Sequence, residues 1–235
     1  MAEPVARLLL PGTLCDERLF GPLQQCWQAQ GEPPVPTRTA DLHGLGPDAG
    51  PWCLAELAHL PPSFDVIGFS LGGILAMLLV ALAPQRVRRM VLVASNPQAA
   101  TAQHRQRVEE QRREWQTLGP AAMAAGWVRQ VTPAGQVDAV MPCVMDMAQV
   151  SPWRAFMAQG ELNASRPDGG PALAAWGGPL LLLSGADDPW CGPDKQALVL
   201  QARPDAIWHE CPDCGHYLPL EQAAELARLS ADFLR

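Results

Sequence analysis

Ser70 stands in the run Gly68-Phe69-Ser70-Leu71-Gly72-Gly73, after the apolar stretch Phe64-Asp65-Val66-Ile67 and before Ile74-Leu75-Ala76-Met77-Leu78-Leu79-Val80. A strand, a sharp turn carrying a serine and then a helix present a hydroxyl beside the free N–H groups of a helix start, which suits attack on a carbonyl carbon. The neighbouring glycines fit that turn because a Cβ there would clash. A serine hydroxyl is a weak nucleophile and needs a base, and the base needs a group to orient it. Candidates follow Ser70 in the order acid, then base. Leu180–Ser184 reads as a buried strand running into Gly185-Ala186-Asp187-Asp188-Pro189, so Asp187 or Asp188 falls in a loop at the carboxyl edge of a sheet. Ala206–Glu210 reads as one more strand, followed by the loop Cys211-Pro212-Asp213-Cys214-Gly215-His216 and an amphipathic helix from Leu218 to Leu234. His216 is thereby expected at the edge that carries Ser70. Gly-x-Ser-x-Gly alone is a common pattern, and the flanking elements and later partners give it weight.

The elements that must hold these groups read as an α/β chain. Six strands are expected, at Val5–Leu10, Val35–Ala40, Asp65–Phe69, Met90–Ala94, Leu180–Ser184 and Ala206–Glu210. At 235 residues, 48% of them hydrophobic, the chain is large enough for one α/β domain with a substantial core. Its formal net charge is −7 without Lys/Arg runs, which argues against nucleic acid or an anionic membrane as partner. No apolar stretch has the length of a transmembrane helix, and Met1-Ala2-Glu3-Pro4 lacks the basic start of a signal peptide, so a cytoplasmic location is expected. Seven cysteines, at 15, 26, 53, 143, 191, 211 and 214, suit free thiols better than a disulfide framework.

Four segments together resemble the α/β-hydrolase superfamily, most closely its capped esterase branch, which includes pimeloyl-ACP methyl ester esterases, enol-lactonases and C–C bond hydrolases. They are Leu8-Leu9-Leu10-Pro11-Gly12-Thr13, Gly68–Gly73, Gly185–Pro189 and Gly215-His216-Tyr217-Leu218-Pro219-Leu220-Glu221, which span nearly the whole chain. The resemblance implies an α/β-hydrolase fold, a mostly parallel sheet flanked by helices. It implies Ser70 as nucleophile, His216 as base and Asp188 as acid, with Asp187 as the fallback. Some relatives place the acid after the strand that follows the elbow helix, but here that stretch is Val91-Leu92-Val93-Ala94-Ser95-Asn96, without a carboxylate. It also implies backbone donors for an oxyanion, assigned to Leu71 and to Thr13 or Leu14. Two departures stand out. Pro11-Gly12 replaces the usual His-Gly, and the first strand takes the place of the family's third, so the leading antiparallel pair is expected to be missing. The new sheet edge then needs short length or covering loops.

Between 101 and 175 the pattern turns helical, with runs at Thr101–Thr117, Pro120–Val131, Gln136–Ala148 and Pro152–Gln159. This block reads as a helical cap inserted between the fourth and fifth strands. The hydrolase core then comprises residues 1–100 and 176–235. Trp127, Trp153 and Phe156 in the cap and Trp190 after Asp188 are the candidate substrate-binding side chains, for an adaptable apolar pocket. Arg166-Pro167-Asp168 reads as a structural closure of the cap.

His209-x-Cys211-x-x-Cys214-x-His216 also has the look of a compact zinc knuckle, and that reading would compete with the triad for His216. A His209 held on a strand cannot easily fold back onto the same metal, so no metal and no organic cofactor is expected. The function expected is ester hydrolysis of small to medium acyl chains through an acyl-enzyme, on a small-molecule substrate. Alternatives with the same three residues are a pimeloyl-ACP methyl ester esterase with an acyl carrier protein as partner, a lactonase, a C–C bond hydrolase, and a hydrolase-fold ligand receptor with negligible turnover. Arg105, Arg107, Arg112, Arg113, Arg129, Arg154 and Arg166 would serve a carrier protein, though Glu109, Glu110, Glu114 and Asp138 dilute them.

Overall fold

A computed structural model describes residues 6–235. Val5, the expected start of the first strand, lies outside the described residues. Six strands form one parallel sheet: β1 (Ala6–Leu10), β2 (Thr37–Thr39), β3 (Phe64–Phe69), β4 (Val87–Val93), β5 (Leu180–Gly185) and β6 (Ile207–Cys211), in the order β2-β1-β3-β4-β5-β6. This is the architecture of the α/β-hydrolase fold, and all the pairings among the described residues are parallel. The expected second strand, Val35–Ala40, shrinks to the three residues of β2. Its short length blunts the edge it forms.

Alternation with period two sends successive side chains of each inner strand to opposite faces. Leu9, Ile67, Phe69, Val91, Val93, Leu181 and Leu183 join one buried cluster, while Leu8, Leu10, Phe64, Val66, Met90, Leu92, Leu180 and Leu182 join the other. Near-continuous apolar strands are what a parallel sheet covered on both faces requires. Helices α1 (Gly21–Ala29) and α11 (Ala223–Leu234) cover the first face through Leu23, Trp27 and Leu226. Helices α2 (Ala49–Ala58), α3 (Leu71–Leu82) and α9 (Pro193–Ala202) cover the second. The C-terminal helix is interrupted: α10 (Leu218–Glu221) ends where Gln222 adopts φ −137°, and its side chain bonds the Pro212 carbonyl.

Between β4 and β5 lie α4 (Ala102–Leu118), α5 (Pro120–Val131), α6 (Val137–Val150), α7 (Trp153–Ser165) and α8 (Gly170–Trp176). Thr101 caps α4 and Gly119 separates α4 from α5. Met123, Val128, Val140, Val144 and Met147 of α5 and α6 pack with Leu14 and Leu19, and so seat the insertion on the segment after β1. Helix α8, unforeseen in the sequence, sends Leu173 into the cluster of the second face and belongs by packing with α3. Arg166 is buried as a structural tie. Its Nε donates to the Gln98 carbonyl and its Nη1 to Asn163 Oδ1.

Candidate active site

The strand order reverses direction between β1 and β3. In open α/β sheets, sites form outside the carboxyl ends of the strands at such a point. The loops that leave β1 and β3 there carry Pro11–Leu14 and Ser70.

Ser70 has φ 52° and ψ −114°, a conformation that costs a non-glycine residue about 1–3 kcal/mol and persists only where the surroundings enforce it. Here they do. Ser70 N–H donates to the Val93 carbonyl (2.9 Å), Ser95 Oγ donates to the Ser70 carbonyl (2.9 Å), and Gly73 N–H donates to that same carbonyl (3.0 Å). The elbow also needs bare backbone. A Cβ on Gly68 would lie 2.6 Å from the Gly72 carbonyl oxygen, and one on Gly72 would overlap the Leu10 carbonyl.

Asp188 is buried in the turn after β5, and His216 is buried in the loop after β6. His216 Nδ1 lies 2.8 Å from Asp188 Oδ2, and His216 Nε2 lies 3.0 Å from Ser70 Oγ. An ionised carboxylate only accepts, so Nδ1 carries the proton and Nε2 presents a lone pair to the serine hydroxyl. Burial by itself would raise the Asp188 carboxyl. The His216 ring and the N–H groups of Cys191 and Trp190 outweigh it and hold the carboxyl below its ordinary value. The two backbone donors reach Asp188 Oδ1 at 3.0 and 2.8 Å. Asp187, the fallback acid, is exposed, and its N–H is tied to the Cys214 carbonyl.

Leu71 is the first residue of α3, where a helix leaves its N–H without an intrahelical acceptor. The two donors expected from the β1 loop part company. Leu14 N–H donates to Gln159 Oε1 of α7 at 3.0 Å and is therefore occupied, whereas no acceptor among the described residues takes the Thr13 N–H. The arrangement can deliver a serine oxygen to a carbonyl carbon, take up the serine proton at Nε2 and offer N–H groups to the oxygen that becomes negative.

The expected substrate side chains divide into two groups. Trp190 meets His216 edge-on at 5.0 Å between ring centroids, and Trp127 meets Trp190 edge-on at 6.1 Å. Arg107 lies over the Trp190 ring, 4.7 Å from its centroid. Trp153 and Phe156 form a separate cluster with Trp115, which stacks on Phe156 at 4.6 Å. A hollow of about 630 Å³ sits at the base of the insertion, lined by Pro97, Gln98, Thr101, Gly170, Leu198 and Ala202, and not by Ser70.

The cysteine–histidine stretch does not converge. The group of metal-capable side chains among the described residues is Asp188, Cys191 and His216. Both ring nitrogens of His216 are engaged by Asp188 and Ser70, which leaves none for His209, Cys211 and Cys214. Cys191 is buried against Asn96 Nδ2, and burial first, then the Asp188 charge, push its thiol up to about 12.

Several residues that shape the site were not singled out from the sequence. Ser95 holds the Ser70 carbonyl, Gln159 holds Leu14, and Val131, the last residue of α5, accepts the His216 N–H at 2.8 Å. Ser95 had a signal, since it closes the strand beside the elbow. Gln159 and Val131 had none.

Comparison with known proteins agrees with this fold. The model of the alpha/beta hydrolase family matches residues 8–229, and the chain belongs to that family. No curated protein matches the sequence. Among solved structures, the chain is similar to an enol-lactonase from Burkholderia xenovorans, with TM-score 0.83 and 18% identity over 100% of this chain and 92% of that one. It is also similar to a thermophilic esterase from Thermogutta terrifontis (0.81, 19%, 99% and 90%) and to a bromoperoxidase from Bacillus anthracis (0.82, 15%, 98% and 92%). At such identities the likeness is one of fold. No helix among the described residues is long and apolar enough to cross a membrane.

Proposed function

We propose that the protein is a serine hydrolase that cleaves carboxylic esters of small to medium acyl chains through an acyl-enzyme. The observation that carries this reading is the continuous chain Asp188–His216–Ser70, with contacts of 2.8 and 3.0 Å, ending on a hydroxyl that is only half-buried.

His216 Nε2 takes the proton as Ser70 Oγ bonds to the ester carbon. The carbonyl electron pair moves onto its oxygen, which the N–H groups of Leu71 and Thr13 receive. One such donor is worth about 3–4 kcal/mol in comparable sites. Collapse of this intermediate expels the alcohol oxygen, which takes the proton from His216. Water then attacks the acyl-serine, giving its proton to His216, and the acid leaves as Ser70 recovers its hydrogen. Asp188 stays ionised and stabilises the imidazolium formed in both halves. Helices α4 to α7 act as a cap, whose Trp127 meets Trp190, the ring that lies edge-on to the base.

The test is turnover of a panel of p-nitrophenyl esters and lactones by the wild-type protein and by Ser70→Ala. The reading requires ester turnover well above once per minute and its loss in the variant. Negligible turnover on every substrate would favour a ligand receptor, and lactones far ahead of esters would move the activity to ring opening by the same residues.

A further inference from the structure

Gln159 is a polar side chain buried in the interior. It lies on α7 between Ala158 and Gly160, is fully buried, and reaches across 145 residues of sequence to the loop after β1. Its orientation is fixed chemically. The Leu14 N–H can only donate, so the oxygen of the Gln159 amide faces it at 3.0 Å and the nitrogen faces the other way. That nitrogen, Nε2, is buried and has no hydrogen-bond partner among the described residues. A buried donor left without an acceptor is a standing destabilisation that natural proteins rarely carry without a use.

The place of this donor gives it one. Leu14 holds φ 60°, a left-handed conformation that a leucine adopts only under constraint. It belongs to the short loop that runs past the nucleophile: a Cβ on Gly12, two residues earlier, would lie 3.4 Å from Ser70 Cβ. Nε2 shares a carbon with the oxygen bound to that loop, so it is held at the same cap–core junction.

We infer that Gln159 is a specificity-determining residue. Its Oε1 fixes the loop at Leu14, and its Nε2 donates to a second acceptor oxygen on the substrate. The substrate class is an ester whose acyl or alkoxy part carries an ether, carbonyl or hydroxyl oxygen close to the scissile carbonyl. A plain hydrocarbon ester leaves Nε2 unpaired, and a site built to bond an oxygen rejects the analogue that lacks it. This inference rests on the serine-hydrolase reading above.

The experiment compares isosteric esters that differ only by oxygen in place of a methylene. On the acyl side these are p-nitrophenyl methoxyacetate against butyrate and p-nitrophenyl 3-methoxypropionate against pentanoate. On the alkoxy side they are 2-methoxyethyl acetate against butyl acetate. Dividing the wild-type kcat/KM ratio of each pair by that of Gln159→Met cancels intrinsic reactivity, and it also cancels any general loss from freeing Leu14. The expected result is a wild-type preference for the oxygen member about tenfold larger than the variant's in at least one pair. The pair that responds tells which side of the ester Gln159 reads. Gln159→Glu, which keeps an oxygen for Leu14 but loses the donor on ionisation, serves if Gln159→Met does not fold. Its oxygen preference should fall as pH rises. Double ratios within twofold of one in every pair, as a buried water on Nε2 would give, overturn the inference while Ser70-dependent turnover leaves the hydrolase reading standing. Turnover that survives Ser70→Ala sinks both.

Discussion

The backbone N–H of His216 donates to the carbonyl of Val131 at 2.8 Å, so the loop that carries the proposed base is fastened to the last residue of helix α5. Gly215 makes this approach possible. A Cβ there would overlap the Val131 carbonyl and crowd the Pro133 ring, and the Gly215 N–H is held by Glu221 Oε2 at 2.6 Å. Gly215→Ala must therefore push the His216 loop away from the insertion. The expected outcome is a loss of at least about 100-fold in kcat/KM, in line with what a displacement of about 1 Å costs a positioned group. Far-ultraviolet circular dichroism should still show the native helix content. Near-wild-type activity would mean that the fastening does not position the base.

The acid can be assigned by a pair of substitutions. Asp188→Asn removes the acceptor that fixes the Nδ1–H tautomer and should lower kcat by roughly 10⁴-fold, the scale seen when an orienting aspartate of this type is replaced. Asp187→Asn alters an exposed carboxylate and should stay within about threefold of wild type. Steady-state kinetics on a single p-nitrophenyl ester suffices, and a reversed order of the two variants would move the acid to Asp187.

Asp188 also sets a pH signature. Its folded-state value is depressed by the His216 ring and by two backbone donors against the cost of burial. A depressed carboxylate contributes stability that is present above its unfolded value of about 3.9 and is lost as pH falls through the lower folded value. The stability difference between wild type and Asp188→Asn, read from urea melts, should not diminish from pH 8 to 5 and should shrink only below about 4. A difference that fades between pH 7 and 5 would contradict the assigned charge state.

Cys191 lies within reach of both Asp188 and His216 yet is kept neutral, its thiol pushed up to about 12 by burial and then by the Asp188 charge. Alkylation requires the thiolate. Iodoacetamide at pH 8 should leave activity intact, with Cys191 unmodified in peptide mass spectra of the folded protein. Rapid labelling of Cys191 with loss of activity would show an accessible thiolate there.

Much of this was legible before the structure. β1, β3, β4 and β5 are largely apolar and bounded by turns, because a sheet covered on both faces buries most residues of its inner strands. The half-buried Arg88 and Arg89 at the start of β4 lie outside the expected Met90–Ala94. Ser70, Asp188 and His216 follow β3, β5 and the edge strand β6, all parallel, so topology alone brings them to one edge. The illegible parts are tertiary. Helix α8 begins with Gly170-Pro171, which reads locally as a turn, and its helix is secured by packing Leu173 against the second face. The break at Gln222 carries a side-chain hydrogen bond to the Pro212 carbonyl, a contact between two loops. The engagement of Leu14 by Gln159, which leaves Thr13 as the one of the two expected donors without an acceptor among the described residues, is a contact between chain segments 145 residues apart that no local pattern encodes.

The proposed cap bears on substrate size. Each methylene buried in an apolar site is worth about 0.8 kcal/mol, so kcat/KM should rise with acyl length until the space beside Trp127 and Trp190 is full and then fall. Across p-nitrophenyl esters from two to sixteen carbons, the maximum is expected at or below about eight. A maximum at sixteen carbons would require a far larger site.

The central claim is that Ser70 becomes acylated, and a covalent probe reads this without knowledge of the substrate. The folded protein treated with a fluorophosphonate should gain one phosphonyl group per chain. Peptide mass spectrometry should place it on Ser70, with turnover lost in proportion, and neither Ser70→Ala nor heat-denatured wild type should be labelled. An unlabelled Ser70 in an enzyme that still turns over esters, or an adduct on another residue that tracks the loss of activity, would contradict the account.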